Sequence, residues 1–211
     1  MGTGATLSTR DKILQTAQQI FIEKGKDGAR MQEIANRAGV NKAMLFYYFN
    51  SKDLLYLEVL SSIVGKLFQK VNEVVISEQE PRKKLEQFVE AYINFLTENE
   101  GLPRIMLREI ASGGEVIGKI FNETLSIEEK PISGNIQSMI EDSIQKGQFR
   151  NVDPIQTIIN IIGMCVIYFI ANPILRHIFS FKDIDKKKFI EQRKKSIVDL
   201  LEHGLIAQSD R

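Results

Sequence analysis

Apolar residues recur at three- and four-residue intervals along nearly the whole chain, and period-two alternation is absent over any useful length. That spacing predicts helices. The first spans 9–24, with Ile13, Leu14, Ala17, Ile20 and Phe21 on one stripe, Ser8 as cap, Asp11 three residues on, and Gly25 as stop. A short helix follows at 31–38, then Gly39, then a third that Asn41 can cap. The fourth begins after Ser51 and runs to about Ser77; it is the longest candidate and could link two regions. Further helices are expected near 81–99, 103–111, 116–123, 127–146, 153–171 and 184–203, with a short turn at 173–178. Each of the five prolines, Pro81, Pro103, Pro131, Pro154 and Pro173, sits where a helix could begin. About ten helices without strands make an all-α fold: an N-terminal three-helix head on a C-terminal helical bundle.

The run Phe46-Tyr47-Tyr48-Phe49 disturbs this picture. Successive helical side chains turn by about 100°, so four aromatics in a row cannot share one core. Lys52 follows directly, one residue after the cap Ser51, at a helix start that disfavours a cation.

The segment EIANRAGVNKAMLFYYF, 33–49, supplies a reason. Ala35, Gly39 four residues later and Leu45 six beyond, with Ile34 and Val40 apolar, follow the spacing of a helix-turn-helix. Two short helices crossing steeply need a small residue at the contact, and the turn needs a positive φ that glycine adopts without strain. An ordinary helix corner also uses alanine and glycine, so the reading rests on the three positions together. In this motif the second helix enters the major groove. With Leu45, Phe49 and part of Phe46 turned inward, the outward set is Asn41, Lys42, Ala43, Met44, Tyr47 and Tyr48. Lys42 and Tyr47 can hydrogen-bond base edges or phosphate, Met44 can touch a thymine methyl, and Tyr48 can donate to a phosphate. A phosphate at the start of the fourth helix would also make Lys52 favourable there.

Charge agrees in direction. Residues 1–52 hold 8 Lys+Arg and 4 Asp+Glu; the remainder holds 20 and 23. A basic head on a slightly acidic body suits nucleic acid. The overall balance of 43% hydrophobic and 26% charged residues describes a soluble globular chain and excludes disorder.

These residues resemble the DNA-binding region of the TetR family of bacterial transcriptional regulators. The matching stretches are TRDKILQTAQQIFIEKG, the turn at Gly28, and EIANRAGVNKAMLFYYFNSKDLL, which ends in the pattern F-x-[ST]-K-[DE]-x-L. They cover about a quarter of the chain. The resemblance implies a helix-turn-helix DNA-binding domain at 1–52 and a ligand-binding and dimerisation domain at 53–211. It also implies a homodimer that binds double-stranded operator DNA and spreads its two heads when a small hydrophobic ligand enters the C-terminal domain. Arg30-Met31 stands where the family usually has a phosphate-contacting threonine, so Arg30 is expected to take that role. Gly-Thr is common where this chain has Ala43-Met44, so no base preference carries over.

In the C-terminal part, a pocket is expected among Phe88, Tyr92, Phe95, Met106, Ile110, Phe121, Met139 and Tyr168, a Met and aromatic mixture that suits an adaptable apolar cavity and equally suits plain core. The dimer face is expected on the last two long helices, through Ile155, Ile159, Ile162, Val166, Phe189, Ile197, Leu200 and Leu201. Glu109 could set a preference for cationic ligands, but a surface ion pair with Arg104 or Arg108 is the expectation, and Lys186-Lys187-Lys188 is expected in a solvated helix start.

No enzyme chemistry is legible. His177 and His203 lack partners at metal or triad spacing, and SGGE has no lysine after it to read as a phosphate loop. No metal or other cofactor is expected. Cys165, the single cysteine, reads as a buried small residue and fits a reducing cytoplasm. The apolar run at 161–171 is too short to span a bilayer, and no membrane partner is expected. The expectation is a ligand-responsive repressor; the alternative is a small-molecule-binding helical protein without specific DNA recognition.

Overall fold

The computed structural model describes residues 8–77, 80–126, 132–179 and 185–207. Among these the chain forms ten helices: α1 Thr9–Gly28, α2 Met31–Ala38, α3 Lys42–Phe49, α4 Lys52–Val75, α5 Pro81–Glu98, α6 Leu102–Ala111, α7 Glu115–Ser126, α8 Ile132–Gln145, α9 Pro154–Ile178 and α10 Lys186–Leu205. The expected all-α fold stands. Its one extended feature among the described residues is an isolated antiparallel bridge between Phe149 and Ile206. The expected helix starts at Ile127 and Ile184 lie outside the described residues.

Contacts divide the chain into two compact units. One comprises Met1–Gly65 with Arg104–Asn122, the other Lys66–Pro103 with Glu123–Arg211. In the first, α2 packs on α1 and α3. Its core is built from Ile13, Ala17, Ile20 and Phe21 of α1, Ile34 and Ala35 of α2, Leu45 and Phe49 of α3, and Leu55, Tyr56, Val59 and Leu60 of α4. Phe21 meets Tyr56 edge-on, 4.8 Å between ring centres, an arrangement that the opposite charges of ring edge and ring face favour. Gly25 stops the regular part of α1, as its position suggests: its φ of 72° and ψ of 176° break the helix, which then resumes for one turn.

In the second unit α9 packs on α5, α8 and α10, and α5 also meets α10. Its buried set includes Leu85, Phe88, Val89, Ile93, Phe95 and Leu96 from α5, Ile161, Cys165 and Tyr168 from α9, and Ile190, Ile197, Leu201 and Leu205 from α10. Each large apolar side chain buried this way contributes about 1.5–3 kcal/mol. Asp153 caps α9 by accepting the Gln156 N–H, and Pro154 takes the first helical position, where its missing N–H costs nothing.

Pro173 corrects the sequence reading. It lies inside α9 and starts no new helix. A proline ring removes one hydrogen bond of the ladder. Two exposed side-chain contacts lie in the following turn: Arg176 Nε donates to Asn172 Oδ1 at 2.8 Å, and His177 Nδ1 lies 2.7 Å from the Pro173 carbonyl. Continuity also changes the estimate of span. At 25 residues, with a mean hydropathy of 2.1 over its most apolar 18-residue window, α9 is long and apolar enough to cross a membrane by length and composition, a test that core helices of soluble proteins also pass.

Cys165 is fully buried in α9, and burial pushes its thiol up to about 12. The thiolate is the reactive form. Cys165 should therefore resist alkylation by iodoacetamide at pH 8 in the folded protein and react fully in denaturant, as read by mass spectrometry. Fast labelling of the native chain would contradict its placement.

Candidate nucleic-acid interface

The sequence from Arg30 to Asp53 folds as the spacing requires. Arg30 precedes α2 in extended conformation, and no side chain caps that helix start. Ile34 and Ala35 are buried. Gly39 closes α2 in the left-handed region, φ 70° and ψ 30°, and the Val40 N–H donates back to the Ala35 carbonyl at 3.0 Å. Asn41 Oδ1 then accepts the Met44 N–H at 2.7 Å and starts α3.

α3 divides by angle. Leu45 and Phe49 are buried, while Tyr47 is 82% exposed. Met44, Phe46 and Tyr48 are each a little over one third exposed, and Lys42 and Ala43 are exposed. Lys42 Nζ lies over the Phe46 ring, 5.8 Å from its centre. The Tyr47 and Tyr48 rings meet edge-on at 5.4 Å. Arg10 sits over the Phe49 ring at 5.5 Å and pairs with Glu58, which braces the inward end of α3.

Between α3 and α4 the backbone turns at Asn50, whose φ of 55° is the one positive value at a non-glycine among the described residues. Its ψ of −47° lies outside the left-handed helical region, and the Ser51 N–H donates back to the Phe49 carbonyl, which makes a γ-turn centred on Asn50. The turn delivers Ser51 Oγ to the Leu54 N–H at 3.1 Å, so Ser51 caps α4 as its position suggests. Lys52 is half-buried, with Nζ 3.5 Å from the Ala29 carbonyl, the long limit of a hydrogen bond. Asp53 pairs with Lys26 at 3.1 Å.

Charges behind this surface are paired. Lys24 binds Glu33 at 2.7 Å; Arg37 binds Glu23 and Glu33 at 3.0 and 2.9 Å. Lys24 and then Arg37 hold the Glu33 carboxyl below its usual range.

The structure overturns the surface ion pair expected at Glu109. This carboxylate is buried and accepts the Tyr56 hydroxyl at 2.7 Å. Burial, then that bond, pushes the Tyr56 phenol upward, so it remains a neutral donor. The signal was available: Leu102, Ile105 and Glu109 share one buried stripe of α6.

The eight residues expected around a ligand fall in both units. Phe88, Tyr92, Phe95, Met139 and Tyr168 belong to the second, with Phe88, Phe95 and Tyr168 buried and Phe88 stacked on Tyr92 at 5.9 Å. Met139 lines a polar cleft of about 180 Å³ with Glu80, Lys84 and Asp142. Met106, Ile110 and Phe121 belong to the first unit; Ile110 is 62% exposed.

For the expected dimer face, Ile155, Ile159 and Leu200 are each more than half exposed. Ile162, Val166 and Phe189 are half-buried. Ile197 and Leu201 point into the chain's own core, since α10 turns them away from the side that carries Leu200.

Two short helices joined by a left-handed glycine, the second exposing a polar-tipped face, define a helix-turn-helix protein. Residues 13–59 match the family described as bacterial regulatory proteins, tetR family, and residues 81–201 match the tetracyclin repressor-like C-terminal domain. The chain belongs to the TetR family. It is 38% identical over 87 residues to the HTH-type transcriptional activator FasR of Mycolicibacterium smegmatis, covering 41% of this chain and 40% of that protein. It is 27% identical over 143 residues to the HTH-type transcriptional repressor NicS of Pseudomonas putida, covering 68% and 66%. Both matches span less than two thirds of the relative. In fold it is similar to the TetR family regulator PfmR of Thermus thermophilus, with a TM-score of 0.69 and 23% identity over 92% of this chain and 98% of that one.

Proposed function

We propose that this protein is a homodimeric, ligand-responsive DNA-binding regulator, a repressor that releases a palindromic operator when a small apolar molecule binds its C-terminal domain. The observation that carries this reading is the split of α3, with Leu45 and Phe49 buried and Tyr47 almost fully exposed. Tyr47 has no role in the core, and its phenol suits a base edge. Around it, Ala43 and Met44 face the groove, and Asn41, Lys42 and Tyr48 on the flanks of α3 complete the DNA-contacting surface through phosphates. Arg30 at the uncapped start of α2 and Lys52 at the start of α4 take phosphates, because free N–H groups at a helix start favour an anion. The head is 1–52 and the ligand and dimer domain 53–211.

Repression needs only that an operator-bound dimer occupy its site. The relatives carry both signs, since FasR is named an activator and NicS a repressor. The ligand is held among Phe88, Tyr92, Phe95 and Tyr168, where aromatic faces offer apolar contact. The protein works in the cytoplasm, without a cofactor, membrane or catalytic step.

The dimer forms through the exposed side of α9, where Ile155, Ile159 and Ile167 repeat at multiples of four residues with Leu200 of α10. Ile159→Lys should yield a monomer in sedimentation at micromolar concentration and bind DNA at least tenfold more weakly, because one head makes about half the contacts of a two-fold site. An intact dimer would remove α9 from the interface.

The function is tested by selecting genomic fragments bound by the full chain. The reading predicts an enriched palindrome with half-sites about one helical turn apart. No enriched sequence would favour the alternative, a small-molecule-binding protein without specific DNA recognition.

A further inference from the structure

We infer that the reading surface selects thymine, through its 5-methyl group, within each operator half-site. This rests on the DNA-binding reading above and adds the base to it.

Successive residues of α3 turn by about 100°. Leu45 and Phe49, both buried, fix the inward direction. Tyr47 falls opposite, which its 82% exposure reflects, and Ala43 and Met44 flank it. The face that meets the groove floor is therefore a methyl, a thioether and a phenol. None of these offers the paired hydrogen-bonding groups that single out guanine or adenine. Guanine is read by twin donors from Arg or Lys, and adenine by the donor and acceptor of Asn or Gln together.

The two neighbouring polar side chains are poorly placed to replace them. Lys42 lies on the flank towards the core, with its ammonium over the Phe46 ring. Asn41 has committed its carbonyl oxygen to the Met44 N–H. Its NH2 alone cannot make the two-bond adenine contact. The thymine 5-methyl is the one apolar group that the major groove displays. Ala43 and Met44 are the apolar groups that this surface displays. Joining them removes water from both, worth about three- to fivefold in affinity for each methyl covered. Tyr47 can donate to the O4 acceptor of the same base or to a neighbouring N7.

The test uses the full-length protein and a random-sequence duplex library. The enriched duplex is remade with deoxyuridine replacing each thymine in turn, symmetrically in both half-sites. Deoxyuridine pairs as thymine does and lacks only the methyl. At one or more positions, affinity should fall by about tenfold for the pair of replacements. Against the same duplexes, Met44→Ala or Ala43→Gly should reduce that penalty below about twofold. Met44 is part-exposed, so Met44→Ala should keep the native circular dichroism melt, whereas Ala43→Gly should lower it slightly, since glycine disfavours a helix relative to alanine. Binding unmoved by every deoxyuridine replacement, or a penalty unchanged in both variants, overturns the inference and leaves the DNA-binding reading intact. Failure to enrich any sequence overturns both.

Discussion

Tyr47→Ala should lower affinity for the selected operator by at least about thirtyfold, because a base contact is worth about 1–3 kcal/mol and a dimer site loses two of them. Its melting curve should match that of the parent. The physical reason is the division of α3. A side chain 82% exposed contributes little to the core, while the same exposure places it at the centre of the groove-facing surface. Fluorescence anisotropy with labelled duplex at fixed salt reads the first quantity, and circular dichroism the second. Lys52→Ala makes the contrast. As a phosphate contact it should weaken all sequences alike and lower the slope of log affinity against log salt by about one for each head. Unchanged operator affinity for Tyr47→Ala would remove α3 from the interface.

Phe21→Ala should act in the opposite way and weaken binding through loss of stability. Phe21 is fully buried and lies edge-on to Tyr56 at 4.8 Å. Truncation removes a ring and leaves a cavity that α1 and α4 cannot close, at a cost of about 3–5 kcal/mol. Whole domains are stable by only about 5–15 kcal/mol. The urea midpoint should fall sharply, or an early separate transition should appear. The two variants would thus weaken the same activity for different reasons, and the denaturation curve tells them apart. A midpoint equal to the parent's would contradict the core placement of Phe21.

How much of this was legible beforehand depended on the range of the interaction. Ser8, Asn41, Ser51 and Asp153 cap helices through atoms three residues away, and Gly39 closes α2 with its own φ. Such signals are local, so spacing alone revealed the helix-turn-helix. Pro173 misled because proline favours a helix start without requiring one, and α9 runs through it to Ile178 at the cost of one ladder bond. Glu109 misled because its charge suggested water, although its place on the apolar stripe of α6 pointed inward. Leu200 and Leu201 show the limit most directly. They are chemically identical neighbours, one exposed and one buried. Only the packing of α10 decides which of them faces out, and composition carries no record of that rotation. The exposed tip of Tyr47 was legible for the converse reason: the inward positions of α3 were already taken.

Gly25 carries a consequence for engineering. A common route to a stiffer protein replaces glycine by alanine, and several glycines here would accept a methyl without touching a neighbour. Gly25 would not. With φ at 72° and ψ at 176° its backbone is in a region nearly closed to other residues. An added methyl would also come within 2.8 Å of a guanidinium nitrogen of Arg108. A library that stabilises this head should hold position 25 fixed, and a library that seeks a crippled head could begin there.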